Sequence, residues 1–266
     1  MRSSYLIALF PLVLFGCPKR EEALTRAEAQ LALDEAQASS QADGLLASSV
    51  EISTDFTLGR AASETASEIR ETIAQNLPCA TVTLSDSTVD VEWGVNASAC
   101  SGRERELSGH SSITVEKNED GEVRVHHEWI DLSNGVVSVT GTADVTWDFE
   151  AKERHVVHST DWTYLPTGRT GHGEGDRVQT PLAGGVAEGI RIQGTRSWTG
   201  EKGRWDLTID GVEMAWADPV PRAGSYTLAT PFDKSVSLGF ERADEDTITV
   251  TVSGPKRSFS FDVSKL

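Results

Sequence analysis

The sequence predicts a mainly β protein, in which a large antiparallel meander sheet curls into a sandwich or an open barrel behind one or two N-terminal helices. From Cys79 onward, apolar and polar side chains alternate, which is typical of strands with one buried and one solvated face. The dipeptides at 120–121, 134–135 and 210–211 favour hairpin turns, because Asn, Asp and Gly tolerate positive φ. Helical spacing of apolar residues occurs only before Leu77.

Residues 18–58 are rich in Ala, Glu, Gln and Ser and contain no Trp. Residues 20–43 have high helix propensity, but their apolar stripe is thin and mostly alanine, so an isolated helix is marginal. We therefore expect residues 17–58 to be a lipidated tether that is dispensable for the fold. A helix that docks on the domain or on a partner is the alternative.

The next segment predicts a firmer helix over residues 61–76. Ala66, Ile69 and Ile73 fall three or four residues apart and share one face. Pro78 ends this helix, because the residue before a proline is pushed out of the helical region.

About a dozen strands follow, and the clearest spans residues 137–149. Its alternation predicts one face in the core and the other in water. Ile190, Ile192 and Trp198 repeat the pattern and are expected on the same apolar side. The inward residues of the first strand are Val137, Val139, Ala143, Val145, Trp147 and Phe149, and the outward ones are Ser138, Thr140, Thr142, Asp144 and Asp148.

Two prolines, Pro219 and Pro221, interrupt strand pairing and predict a boundary. We expect a helix plus an antiparallel β domain over residues 59–217 and a C-terminal β subdomain over residues 218–266.

The first residues resemble the lipobox signal of bacterial lipoproteins. Arg2 precedes a short apolar run over residues 5–15, which ends in Gly16-Cys17. The run is too short to span a bilayer as a helix, and its flanks are those of a secretory signal. The resemblance implies that residues 1–16 are a signal peptide and that Cys17 is lipidated. Because Pro18 and Lys19 follow Cys17 in place of Asp, it also implies a lipid anchor in the outer membrane, on a side that stays open.

Cleavage before Cys17 would leave 250 residues and shift the formal charge from −17 to −18. Phosphate backbones repel such a chain, so nucleic acid is not an expected partner. Cys79 and Cys100 would then be an even pair in an oxidising compartment, which favours a disulfide over two buried or reactive thiols. The bridge would stabilise the fold by roughly 3 kcal/mol in the chain-entropy model.

The histidines do not have the spacing of a metal site. His155 and His158 fall on opposite faces of a strand, because side chains alternate. His126 and Glu128 do share a face, but zinc takes three or four protein ligands. We expect no cofactor, no metal and no enzymatic activity.

The seven tryptophans are expected mainly in the core of the sheet. Trp129, Trp162 and His127 form the candidate binding surface.

The expected function is that of a membrane-anchored envelope lipoprotein with a non-catalytic binding or scaffolding role. Its partners are the membrane, through the anchor, and an envelope protein or a glycan. The mature part resembles envelope lipoproteins of unassigned activity. Two alternatives stay open: a carrier of an acyl or other apolar ligand in a curved β sheet, by analogy with half-barrel lipoprotein carriers, and a metal-dependent hydrolase.

Overall fold

The computed structural model describes residues 22–54, 62–76, 79–94, 107–117, 123–148, 151–215 and 218–264. These residues form two helices and thirteen strands, which are α1 (Arg26–Thr54), α2 (Ala62–Asn76), β1 (Thr81–Ser85), β2 (Thr88–Trp93), β3 (Ser108–Lys117), β4 (Val123–Ser133), β5 (Val137–Asp148), β6 (Glu153–Tyr164), β7 (Arg169–Leu182), β8 (Gly185–Gly200), β9 (Gly203–Ala215), β10 (Asp218–Ala229), β11 (Ser235–Arg242), β12 (Thr247–Gly254) and β13 (Arg257–Ser264).

The thirteen strands form one antiparallel sheet in chain order, so each strand pairs with the next along the sequence. The strands β1 and β13 are its two edges, and the sheet stays open. This confirms the predicted meander. The C-terminal strands continue this sheet, because β10 pairs with β9 through Leu228 and Leu207. The predicted C-terminal β subdomain would have a sheet of its own. Residues 218–264 instead extend the single sheet.

The turn at Asn134-Gly135 forms as predicted between β4 and β5. Gly135 has a φ of 81°, and the side-chain oxygen of Asn134 accepts hydrogen bonds from the backbone N–H groups of Val136 and Val137. The dipeptide at 120–121 lies outside the described residues.

The predicted turn at Asp210-Gly211 is wrong, because both residues lie inside β9. Gly211 has a φ of 57°, and the pairing of β10 with β9 shifts register near Ala223. A β-bulge can place glycine at positive φ, as a tight turn does. The Asp210-Gly211 dipeptide therefore marks an irregularity in the pairing and does not reverse the chain.

The inward and outward faces of β5 confirm the predicted alternation. Val137, Val139, Ala143 and Val145 are buried, whereas the residues between them are partly or fully exposed. Trp147 is half-buried against the core, and Phe149 lies outside the described residues. On β8, Trp198 is buried, and the side chains of Ile190 and Ile192 are half-buried.

The expectation of a dispensable tether is wrong for the residues described. The helix α1 lies against the inner face of the sheet, with its first turn beside β12 and its last turn beside β4 to β6. Most of its circumference is buried, so the sheet curls around it. Small side chains let a helix approach a sheet closely, and a search for a bulky apolar stripe overlooks such a face. Only six residues between 26 and 51 are exposed: Arg26, Ala27, Gln30, Ser40, Gly44 and Ser48.

The helix α2 forms as predicted and packs on β1, β2 and β3. Ala66, Ile69 and Ile73 are fully buried on its inner face. Cys79 follows it, buried and disulfide-bonded. Cys100 lies outside the described residues, as does Cys17, so the pairing of Cys79 with Cys100 stays a prediction. Neither helix that the structure describes has a stretch apolar and long enough to cross a membrane.

Candidate functional site

A row of carboxylates along α1 faces cations on the sheet. The four acidic residues are spaced seven or eight positions apart, so they share one side of the helix. Every cation that they meet belongs to a strand or to the turn between β10 and β11. The pairs are Glu28 with Lys234 at 2.6 Å, Glu35 with Arg169, Asp43 with Arg177 at 2.6 Å, and Glu51 with Arg154.

The centre of this row is a cluster of one half-buried carboxylate and three buried side chains, which we term the inner cluster: Asp43, His158, Arg177 and Arg196. One oxygen of Asp43 lies 2.6 Å from Arg177 and 3.2 Å from Arg196, and the other lies 3.9 Å from Nε2 of His158. The two arginine side chains and the histidine ring are each about 95% buried.

Burial and charge act in opposite directions on the inner cluster. Burial acts to raise the pKa of Asp43, but Arg177, Arg196 and His158 together hold that pKa well below its usual range. Burial lowers the pKa of His158 to about 4, despite the opposing effect of Asp43. His158 is therefore neutral near pH 7, and two guanidinium groups face one carboxylate inside the protein.

Several polar atoms around the inner cluster lack a hydrogen-bond partner within the described part of the chain. They include Nε of both Arg177 and Arg196, the second oxygen of Asp43, and the indole nitrogens of three buried tryptophans. An unsatisfied buried donor costs roughly 1–3 kcal/mol. The three tryptophans are Trp162, Trp198 and Trp205.

These tryptophans form an aromatic row beside the arginines. The rings of Trp198 and Trp205 stack at 6.2 Å, and the guanidinium of Arg196 lies 5.4 Å from the centre of the Trp198 ring. Glycines of β7 make room for this layer: a Cβ added at Gly171 would lie 2.4 Å from the ring of Trp162. At Gly175 it would lie 2.2 Å from the ring of His158.

The three residues predicted to form a binding surface are all buried, so they form no surface that a partner can reach while α1 is docked. Trp129 and His127 are fully buried, and Trp162 is 3% exposed. The indole nitrogen of Trp129 donates to the hydroxyl of Ser49 on α1 at 2.9 Å, and His127 stacks on Trp129. Burial also lowers the pKa of His127 to about 3. Alternation alone does not show which face of the sheet α1 covers.

A small cavity lies between the last turns of α1 and the sheet. The cavity between Leu46 and Val50 of α1 and Trp129, Arg154 and Arg177 of the sheet measures about 10 Å³. That is the lower limit for holding one water molecule. An acyl chain therefore does not fit in this cavity.

The outer face of the sheet carries a polar groove of about 540 Å³ across β4 to β8, which we term the outer groove. Three carboxylates and five hydroxyl side chains line it, and His172 lies 2.9 Å from Asp161. Its lining contains neither lysine nor arginine. The lining residues are Asp131, Ser138, Thr140, Asp161, Trp162, Thr163, Thr170, Gly171, His172, Thr199, Gly200 and Glu201.

The other outer-face histidines each sit beside a carboxylate. His126 lies 2.7 Å from Asp144, and His155 lies 2.6 Å from Asp176. His155 is exposed and His158 is buried, as their spacing predicts. Among the described residues, no three His, Cys, Asp or Glu side chains gather where a metal ion could be held.

The sequence contained two signals for the inner cluster. Acidic residues recur along α1 at intervals of about two turns, and Arg177 and Arg196 occupy the inward phase of their strands. An inward arginine indicates a buried carboxylate from another element, because buried charges are paired.

Comparison of the chain with protein-family models, with curated proteins and with solved structures finds no match.

Proposed function

We propose that this protein is a non-catalytic envelope lipoprotein, anchored in the outer membrane through Cys17, that presents the outer face of its sheet to an envelope protein. The observation that carries the proposal is the position of α1, which fills the concave face. While α1 occupies the concave face, a protein partner can reach only the outer face of the sheet.

The outer groove suits a basic partner segment. Its three carboxylates, Asp131, Asp161 and Glu201, attract lysine and arginine side chains, and its hydroxyl groups offer further hydrogen bonds. A glycan is the weaker candidate. The described residues expose no aromatic ring on which a sugar could stack, because every described Trp, Tyr and Phe is buried or half-buried.

Site-specific photo-crosslinking in cells tests the proposal. A photoreactive side chain in place of Thr170, which lines the outer groove, should give one discrete protein adduct. Asp161→Lys with Glu201→Lys should remove this adduct, because both changes repel a basic segment.

Two control variants change residues that lie on the outer face of the sheet but outside the outer groove. Asp206→Lys lies on the same face outside the groove lining and should leave the adduct intact. A photoreactive side chain in place of Ser260 on β13 should give no such adduct. If Ser260 gives the same product, or if the Asp161 and Glu201 changes leave it unaltered, the outer groove is not the docking site.

A further inference from the structure

We propose that the inner face of the sheet is also a binding site for a long-chain carboxylate, and that α1 is its built-in competitor. In this scheme α1 leaves the inner face and unfolds when the ligand enters. The site does not depend on the outer groove, since it uses the opposite face of the sheet.

The separation of charge between the two elements is the first support. In the four ion pairs of the carboxylate row, the helix supplies every anion, and the strands or the turn between β10 and β11 supply every cation. When α1 leaves, an apolar surface that carries Arg154, Arg169, Arg177 and Arg196 is exposed. A carboxylate head group would replace a carboxylate of α1 with the same chemistry.

The excess of donors in the inner cluster is the second support. Asp43 alone faces Arg177 and Arg196, and both arginines keep an Nε–H without a partner in the described part of the chain. A ligand carboxylate has two oxygens that are free to adjust to these donors, whereas Asp43 is fixed by its helix. The site is therefore built for an anion that α1 only partly mimics.

The aromatic row provides the place for an apolar chain. Trp162, Trp198 and Trp205 lie on β6, β8 and β9, which spans three strand spacings or about 14 Å. Phe232 continues the row with an edge-to-face contact to Trp205 at 5.8 Å. Because Arg196 lies two residues before Trp198 on the same inward phase, head group and chain would meet at Arg196.

The composition of α1 is suited to release. Its inward face is built mainly of alanine and serine, which bury less apolar area than the leucines of a permanent core helix. Gly44 follows Asp43 directly and is exposed, and a Cβ there would meet nothing within 4 Å. Packing does not require this glycine, which weakens the helix at its centre.

Binding of dodecanoate, dodecanol and dodecylamine to the purified full-length mature protein tests the proposal, by calorimetry below micellar concentrations. Dodecanoate should bind with one-to-one stoichiometry and at least about tenfold more tightly than dodecanol, because charge-assisted hydrogen bonds to arginine favour it. Dodecylamine should bind more weakly than either. Hydrogen exchange of the amides of residues 29–50 should speed up when dodecanoate binds, because α1 is released.

The Gly44→Ala variant distinguishes ligand binding that requires release of α1 from ligand binding at another place on the protein. The alanine favours the docked helix, so dodecanoate should bind about two- to fivefold more weakly. Gly239→Ala is the matched control, because Gly239 is exposed on β11 and its added Cβ would meet only a backbone oxygen at 3.9 Å. It should leave the affinity unchanged.

Equal affinity for dodecanoate and dodecanol would overturn the proposal, as would dodecanoate binding that leaves the exchange of α1 unchanged. Equal affinity of the Gly44→Ala and wild-type proteins would exclude unfolding of α1 as part of binding. None of these results bears on the photo-crosslinks of the outer groove, so the two proposals fail separately.

Discussion

Asp43 is the residue of α1 that pairs with two buried arginines of the sheet. Its carboxylate is the only acidic group that the structure places against both Arg177 and Arg196 within the described residues. Asp43→Asn would leave two guanidinium groups buried without a counter-charge. Removing one partner of a buried ion pair costs about 3–5 kcal/mol, and we expect a loss of that size in the free energy of unfolding by urea.

The matched control for Asp43 is an acidic residue in an exposed pair. Asp206 lies 2.9 Å from Arg204, and both side chains are more than half exposed. Asp206→Asn should change the unfolding free energy by no more than about 0.5 kcal/mol. A loss below about 1 kcal/mol for Asp43→Asn would show that the inner cluster does not hold α1.

The two buried histidines predict a loss of stability in mild acid. The pKa values of His158 and His127 are about 4 and about 3, both lowered by burial from the ordinary value of 6.5. Between these values and pH 6.5 the unfolded chain binds more protons than the folded one, so stability falls as pH falls. At pH 5 each histidine should remove about 2 kcal/mol, measured as the shift of the urea midpoint from its value at pH 7.

Variants of single histidines check this origin. His158→Gln should reduce the loss between pH 7 and pH 5 by about half, because one of the two titrating groups is gone. His155→Gln, on the exposed outer face, should leave the loss unchanged. The depressed pKa of Asp43 acts below its ordinary value of 3.8, outside this window. An unaltered pH dependence in the His158 variant would contradict the assignment.

At the scale of elements, we expect the ligand-free fold to require α1. Its removal would expose the inner faces of β5, β6 and β7 and would leave Arg154, Arg177 and Arg196 without their carboxylates. A truncated chain that starts at Thr57 should therefore lose cooperative thermal unfolding, followed by circular dichroism. A chain that starts at Glu22 keeps α1 and should melt near the temperature of the mature protein. Cooperative melting of the shorter chain would restore the tether interpretation.

The strands were predictable and the docking of α1 was not, for one physical reason. A strand such as β5 records its environment in a period of two, so Val137 and Val145 predict a buried face from local sequence alone. The buried face of α1 is recorded in alanines and in Glu35 and Asp43, whose partners lie more than a hundred residues away. The local sequence predicts that such carboxylates face solvent. Arg177 comes close to Asp43 only in the folded protein. The inner cluster was therefore missed although each member was visible.

At the scale of the whole molecule, the sheet and α1 form one body, and Leu24 is the first buried residue in the part of the chain that the structure describes. Its backbone N–H donates to the carbonyl of Pro255 in the turn between β12 and β13, at 3.0 Å. An acylated Cys17 would lie seven residue steps before Leu24, which spans at most about 25 Å of extended chain. If Cys17 is acylated as proposed, six residues would separate it from Leu24. Such an anchor would hold the body near the membrane with the β12–β13 turn towards it.

Fluorescence quenching in vesicles checks this orientation. In the lipidated protein, a fluorescent side chain in place of Lys256, at the β12–β13 turn, should be quenched by nitroxide-labelled lipids. The same side chain in place of Ile130 should be quenched much less. Ile130 is exposed on β4, near the last turns of α1, and that helix rises about 36 Å between residues 26 and 50. Twenty Gly and Ser residues inserted after Lys19 add a root-mean-square reach of about 25 Å and should abolish the difference. Equal quenching at the two positions without the insertion would mean that α1 does not orient the body on the membrane, and a Cys17→Ser protein should show no quenching at either position.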